Sequence, residues 1–383
     1  MGKKILFVTT RSPFSNTFSG DRLRAKLIIK NLRTKNKVDV IYSDRKKSFE
    51  EVKNNIFFKR KLFDKIKGIL YSLINLYPLQ LGYFYSSEVN NFLKKNHENY
   101  ETIIFHLIRS AQYLPSQFKG KRILEMTDLL SYNYDQLIKS LSLINPLFYL
   151  YQLEKFLVKK YEKKCFERFK TVVFVSKNDF KFIKNVKKKN LFFSIPNPFE
   201  VKKNIFQHKN SNYKIIFIGN INYLPNKKAC LYFSKKILPI INNLYQNKIE
   251  FHIAGEINLV NKILLNKIKN TYCHGPQNNL EKFIKNSICG ICNLEIATGL
   301  QNKILTYGSY GLPCISSKLS QKNTTLIDGK EILVYNNNKQ FVKLICKLKE
   351  NKKISNKLSR NFHAAVKKKY NKKFIFKDYN RII

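Results

Sequence analysis

The chain has no tryptophan, two methionines and few acids: 25 Asp and Glu stand against 72 Lys and Arg in 383 residues, a formal net charge of +47. It also lacks long apolar runs. Pro78 breaks the apolar stretch 69–84 and Pro146 breaks 141–153. Neither leaves the roughly 18 uninterrupted apolar residues of a membrane-spanning helix, so none is expected. Met1-Gly-Lys-Lys leads straight into Ile5-Leu-Phe-Val8. That segment is too short for a secretory signal and reads as a first strand. The seven cysteines are odd in number and scattered. Cys289 and Cys292 alone lie close, and a zinc site would need a second pair at matching spacing. Core thiols in a reducing cytoplasm are expected, with no metal and no cofactor.

The positive charge invites a nucleic-acid reading. Yet the lysines run through the whole chain rather than gathering on one motif. Asn, Ile, Phe and Tyr are abundant beside Lys, and Ala and Gly are scarce. The abundant five all have A/T-rich codons, so genome composition explains the lysine load at least as well as function does. No specific nucleic-acid partner is expected. Attraction to polyanions, including an anionic membrane face, follows from the charge itself.

Short β-rich apolar runs alternate with amphipathic helical stretches. Strands are expected at 5–9, 38–42, 103–106, 122–126, 172–176 and 191–195, then at 214–218, 250–254, 271–274, 288–294, 314–316 and 332–335. Such alternation predicts an α/β chain with parallel sheets and helices on both faces. The pattern runs twice. Pro196-Asn-Pro198 and the polar stretch 202–213 separate the halves. The expected division is 1–200, 201–360 and a helical tail at 361–383, the first two being doubly wound Rossmann-like domains facing a cleft. The segment 141–169 reads as a packed helix pair, or as a basic amphipathic surface resting on a membrane. Residues 354–379 read as one or two basic helices.

The densest chemistry lies in Ala297-Thr-Gly-Leu-Gln-Asn-Lys303, between the apolar runs 288–294 and 313–317. Strand, glycine loop, short helix and strand make a βαβ unit, with its loop where an α/β sheet binds ligands. The unpaired N–H groups that begin a helix carry partial positive charge and suit a phosphate. Thr298, Gly299, Leu300, Gln301 and Asn302 build that cradle, and Lys303 adds a full charge. The alternative is a tight turn with a solvated lysine. His252 and His274 read as structural, neither having a partner at metal-ligand spacing.

Four segments together resemble the GT-B glycosyltransferases of glycosyltransferase family 4, in the branch found in bacterial exopolysaccharide and O-antigen clusters. They are Lys4-Ile-Leu-Phe-Val with Ser19-Gly-Asp-Arg-Leu-Arg24, then Val172-Val-Phe-Val-Ser-Lys-Asn-Asp179 with Ile195-Pro-Asn-Pro198. Ile216-Phe-Ile-Gly-Asn-Ile-Asn-Tyr-Leu-Pro-Asn226 and Gly299-Leu-Gln-Asn-Lys-Ile-Leu with Gly311-Leu-Pro313 complete the set. The resemblance implies a cytoplasmic transferase, peripheral to the membrane. It would pass a sugar, with retention and without bound metal, from a uridine or guanosine diphosphate sugar to a lipid-linked or saccharide acceptor.

It also implies roles. Gly219 and Asn220, extended by Asn222, Tyr223 and Asn226, would admit the donor diphosphate. Gly20 would let backbone approach a ligand, and Arg22 and Arg24 would meet the acceptor phosphate or face water. His106, with Arg109 three residues on, would hold sugar or phosphate. Asp128 would orient or deprotonate the acceptor hydroxyl, or cap the next helix. Many relatives have a histidine where Thr127 and Asp128 stand. The family's Glu-x7-Glu pair is replaced by Thr298 and Thr306, with Glu295 nearby. A hydroxyl holds a ribose more weakly than a carboxylate does. A non-catalytic nucleotide-binding partner of the same fold is the alternative.

Overall fold

A computed structural model describes residues 2–14, 20–44, 54–139, 141–183, 192–202, 206–297 and 299–383. Ser19, Leu191 and Thr298 therefore lie outside the described residues. The chain forms two compact units, Met1–Pro196 with Phe376–Ile383, and Asn197–Ile375.

In the first unit the strands are β1 (Lys4–Thr9), β2 (Lys37–Asp44), β3 (Asn55–Lys59), β4 (Thr102–His106), β5 (Lys121–Thr127), β6 (Thr171–Phe174) and β7 (Phe192–Ser194). They form one sheet in the order β3-β2-β1-β4-β5-β6-β7, and every pairing is parallel. The helices are α1 (Gly20–Leu32), α2 (Leu62–Ile74), α3 (Leu79–Tyr83), α4 (Ser87–Asn96), α5 (Leu130–Ile138) and α6 (Pro146–Arg168). Ile5, Leu6, Phe7 and Val8 are all fully buried. A strand covered on both faces is apolar at every position, which is why β1 is legible as a continuous run.

The second unit carries β8 (Lys214–Ile218), β9 (Glu250–Ala254), β10 (Thr271–Gly275), β11 (Ser287–Cys292), β12 (Cys314–Ser317) and β13 (Leu333–Tyr335), in the order β10-β9-β8-β11-β12-β13. These pairings are parallel as well. Its helices are α7 (Leu224–Tyr232), α8 (Leu238–Leu244), α9 (Leu259–Asn266), α10 (Leu280–Ile284), α11 (Asn302–Ser309), α12 (Lys318–Gln321), α13 (Asn338–Glu350) and α14 (Lys352–Lys369). The last helix, α15 (Lys372–Arg381), begins in this unit and ends in the first.

Every expected strand is present. β3 was not expected: it is short, half-exposed and at the sheet edge, so its apolar signal is small. The segment 141–169 holds one long helix rather than a pair. The Asn145 side chain accepts from Leu147 N–H and Pro146 takes the first turn, so the proline starts the helix instead of splitting it.

Candidate functional site

Each sheet reverses its strand order once. In the second unit the reversal falls between β8 and β11, so the loops after these two strands flank the usual ligand crevice. Gly219 and Asn220 follow β8, and α11 follows the loop after β11. Tyr307 fixes α11 to the sheet. Its ring is fully buried, Ile218 N–H donates to its hydroxyl at 2.9 Å, and that hydroxyl donates to the Ile291 carbonyl at 3.3 Å. The ring lies over Gly290, where a Cβ would come within 2.6 Å of it. On its other side α11 packs Gly308 against Phe362 and Val366 of α14.

Lys303, in the first turn of α11, is buried, which overturns the solvated-lysine alternative. Its Nζ donates to Asn226 Oδ1 at 2.6 Å and stands 4.1 Å from the centroid of the Phe217 ring. Asn226 Nδ2 donates to the Asn220 carbonyl at 2.7 Å, and Asn220 Nδ2 to Glu256 at 2.8 Å. A relay thus joins the two loops. Burial pulls the Lys303 pKa down, so an anion that stabilises its charged form gains from being there. A Cβ at Gly219 would stand 3.1 Å from Asn226 Nδ2 and 3.4 Å from Lys303 Cε, so this position has little room for a side chain.

The rest of the cradle is mixed. Gly299 has φ +60°, the left-handed region where glycine costs nothing. Leu300 is buried, Gln301 is the helix N-cap residue, and Asn302 Oδ1 accepts from Asn197 at 2.6 Å. The Thr306 hydroxyl donates to the Asn302 carbonyl at 3.0 Å, leaving only its lone pairs for a ligand. Glu295 is exposed.

In the first unit the reversal falls between β1 and β4, and Thr9 pairs with His106 across it. Thr9 Oγ1 and His106 Nδ1 are hydrogen-bonded at 3.2 Å. His106 Nε2 is buried and has no hydrogen-bond partner among the described residues. Burial pushes the His106 pKa down to about 3; nearby Arg24, Arg109 and Arg11 push the same way and Asp21 opposes. The imidazole is therefore neutral at physiological pH. Two of the arginines that act on His106 belong to a cluster of three guanidinium groups sharing one ring: Arg109, Arg60 and Arg11 lie 4.1, 4.8 and 5.2 Å from the Phe84 centroid. Arg60 donates to the Thr10 and Ser43 carbonyls at 2.7 and 2.8 Å. Burial, then Arg11, holds Arg109 down at about 9. Asp21 pairs with Arg11 at 3.3 Å and Asp44 with Arg22 at 3.5 Å.

Asp128 follows β5. Thr127 before it has φ +70°, and Leu107 after β4 has φ +67°. Two strained non-glycine residues at neighbouring strand ends are typical of a functional rim. Burial pushes Asp128 up to about 6, with Asp21 and Glu125 adding and Arg24 opposing. Its Oδ1 has no partner among the described residues. The N-cap of α5 is Leu129, with no side-chain cap, so the capping alternative fails.

Arg24 points inward. It is 1% exposed and donates from Nε to Glu125 at 2.8 Å, tying α1 to β5, so it does not reach outward for a phosphate. Gly20 begins α1. His252 and His274 are neighbours across β9 and β10: His252 Nδ1 and His274 Nε2 are hydrogen-bonded at 2.9 Å, and His252 Nε2 meets Glu250 at 2.7 Å. Sequence spacing missed that contact because it joins two strands. Among the described residues no group of His, Cys, Asp and Glu is placed to hold a metal. All seven cysteines are free thiols. Among the described residues no helix is long and apolar enough to cross a membrane. Arg11 and Arg60 were not singled out from the sequence; Arg60 directly follows the unexpected β3.

Residues 212–351 match the family model of the group 1 glycosyl transferases. The whole chain is similar to several solved structures. TarM shares 11% identity over 99% of this chain and 98% of its own, with a TM-score of 0.69. Anabaena HepE, solved with UDP-glucose, shares 13% over 99% and 98%, with a TM-score of 0.67. WaaG, a glycosyltransferase involved in lipopolysaccharide biosynthesis, shares 10% over 99% of both chains, with a TM-score of 0.71. No curated protein matches the chain. The chain thus has two parallel-sheet α/β domains of the GT-B fold, the second of which carries the match to the group 1 glycosyl transferase model.

Proposed function

We propose that the protein is a family 4 glycosyltransferase of surface polysaccharide synthesis. It moves a sugar, with retention, from a uridine or guanosine diphosphate sugar to a lipid-linked saccharide. It works in the cytoplasm, peripheral to the membrane. The observation that carries this is the buried Lys303 at the first turn of α11, beside Gly219 at the sheet reversal. A leaving diphosphate needs its growing charge met, and a lysine with helix N-terminal N–H groups can meet it without metal. A structural neighbour solved with UDP-glucose supports the uridine donor.

In the first unit, Asp128 takes the acceptor hydroxyl. A carboxyl pushed up to about 6 is ionised at neutral pH yet basic enough to draw on a proton. His106 offers a neutral Nε2 to a sugar hydroxyl. Arg11, Arg60 and Arg109, gathered on Phe84, receive the acceptor's phosphate.

Thr306 favours a second reading, a nucleotide-binding partner without catalysis, because its hydroxyl is already engaged with its own helix. A melting panel with nucleoside diphosphates tests both. UDP or GDP at about 100 times its dissociation constant should add about 2.7 kcal/mol of stability, a rise of several degrees. Thr306→Glu should tighten donor binding. No stabilisation by any nucleotide overturns both readings. Binding without sugar release from any donor, in wild type and Thr306→Glu alike, leaves only the second.

A further inference from the structure

Helix α2 is folded inside out. Its inward stripe is Asp64, Gly68 and Ser72, spaced by four and all buried. Gly68 backs onto Gly82 of α3, where a Cβ would stand 2.5 Å from the Gly82 carbonyl oxygen. Asp64 accepts from Ser87 N–H at 2.9 Å at the head of α4. These contacts fix the roll of the helix. The apolar face, Leu62, Phe63, Ile66, Leu70 and Ile74, is left outward; Phe63 is 72% and Ile74 80% exposed. A helix packed for the sake of its own domain turns that face in. A contiguous outward one marks a contact surface.

Two neighbouring features say what it contacts. The first turns of α6 and the residue before its N-cap also present apolar side chains, with Ile144 93% exposed and Tyr149 63%. Between α2 and α6 lies a cavity of about 420 Å³, lined by Tyr71, Tyr77 and Tyr161 together with Lys67, Lys164 and Arg168. An apolar face bordered by cations and tyrosines is the composition of a helix that lies in a bilayer interface. Net charge argues against a second copy as the occupant, since two chains of +47 repel. A bilayer with acidic headgroups offers both an apolar layer and the opposite charge.

We propose that α2, with the first turns of α6, docks the first unit on an anionic lipid bilayer. The inference deepens the membrane-peripheral part of the proposed function and does not depend on the donor site. The test is co-sedimentation of the full chain with vesicles of phosphatidylcholine, with and without phosphatidylglycerol, at about 0.15 M salt. Binding is expected only with phosphatidylglycerol. The triple variant Phe63→Asp, Leu70→Asp, Ile74→Asp should bind at least about tenfold more weakly, with an unchanged melting temperature because all three positions are exposed. Lys303→Met should bind vesicles like wild type, so a failed donor site cannot pass for failed docking. Absence of wild-type binding to phosphatidylglycerol vesicles overturns the proposal. So does full binding by the triple variant, or a wild-type dimer that the triple variant abolishes while vesicle binding stays.

Discussion

Asp179 is 3% exposed, and its Oδ2 has no hydrogen-bond partner among the described residues. Burial, then Asp128 and Glu162, pushes it from an ordinary 3.8 up to about 8. The fold therefore favours its protonated form. The stability this supplies is complete below about pH 4 and is lost as pH rises through about 8. Asp179→Asn should melt like wild type near pH 4 and exceed it by about 1–3 kcal/mol at pH 8. Equal melting temperatures at both pH values would count against the buried carboxylate. At this scale the sequence was partly legible. Lys303 announced itself because a cation in a helix's first turn after a glycine loop has a defined chemistry. The Phe84 cluster did not, because Arg11, Arg60 and Arg109 come from three separate strand ends. Arg24 was misdirected outward, since a sequence does not say that Glu125 waits inside.

At the scale of elements, β-runs buried on both faces were readable and the half-exposed β3 was not. The inverted α2 was equally hidden. Its amphipathic spacing is ordinary, and only the contacts of Gly68 and Asp64 show which face is in. Helix α11 illustrates how an element positions a site. Tyr307 supplies the only hydroxyl bridge described between α11 and the facing β8 and β11. Tyr307→Phe leaves the Ile218 N–H unpaired, at a cost of about 1–3 kcal/mol in urea unfolding. Nucleotide affinity should fall with it, because Lys303 rides on the same helix. Unfolding at the wild-type urea midpoint would show that the ring alone sets the helix.

At the scale of the molecule, the doubled strand–helix alternation made the two parallel domains legible. The reversals of strand order, between β1 and β4 and between β8 and β11, were not: sequence order does not say which strands end up side by side. Those reversals are what bring His106 beside Thr9, and Gly219 and Asn226 beside Lys303. The proposed function rests on the second reversal binding a nucleoside diphosphate through Lys303. Calorimetric titration of UDP into wild type and Lys303→Met tests it most directly. Saturable binding by wild type is expected, weakening as pH rises because burial lowers the Lys303 pKa, with a loss of about 10- to 100-fold in Lys303→Met and the fold intact. Equal affinity in the two proteins would contradict it.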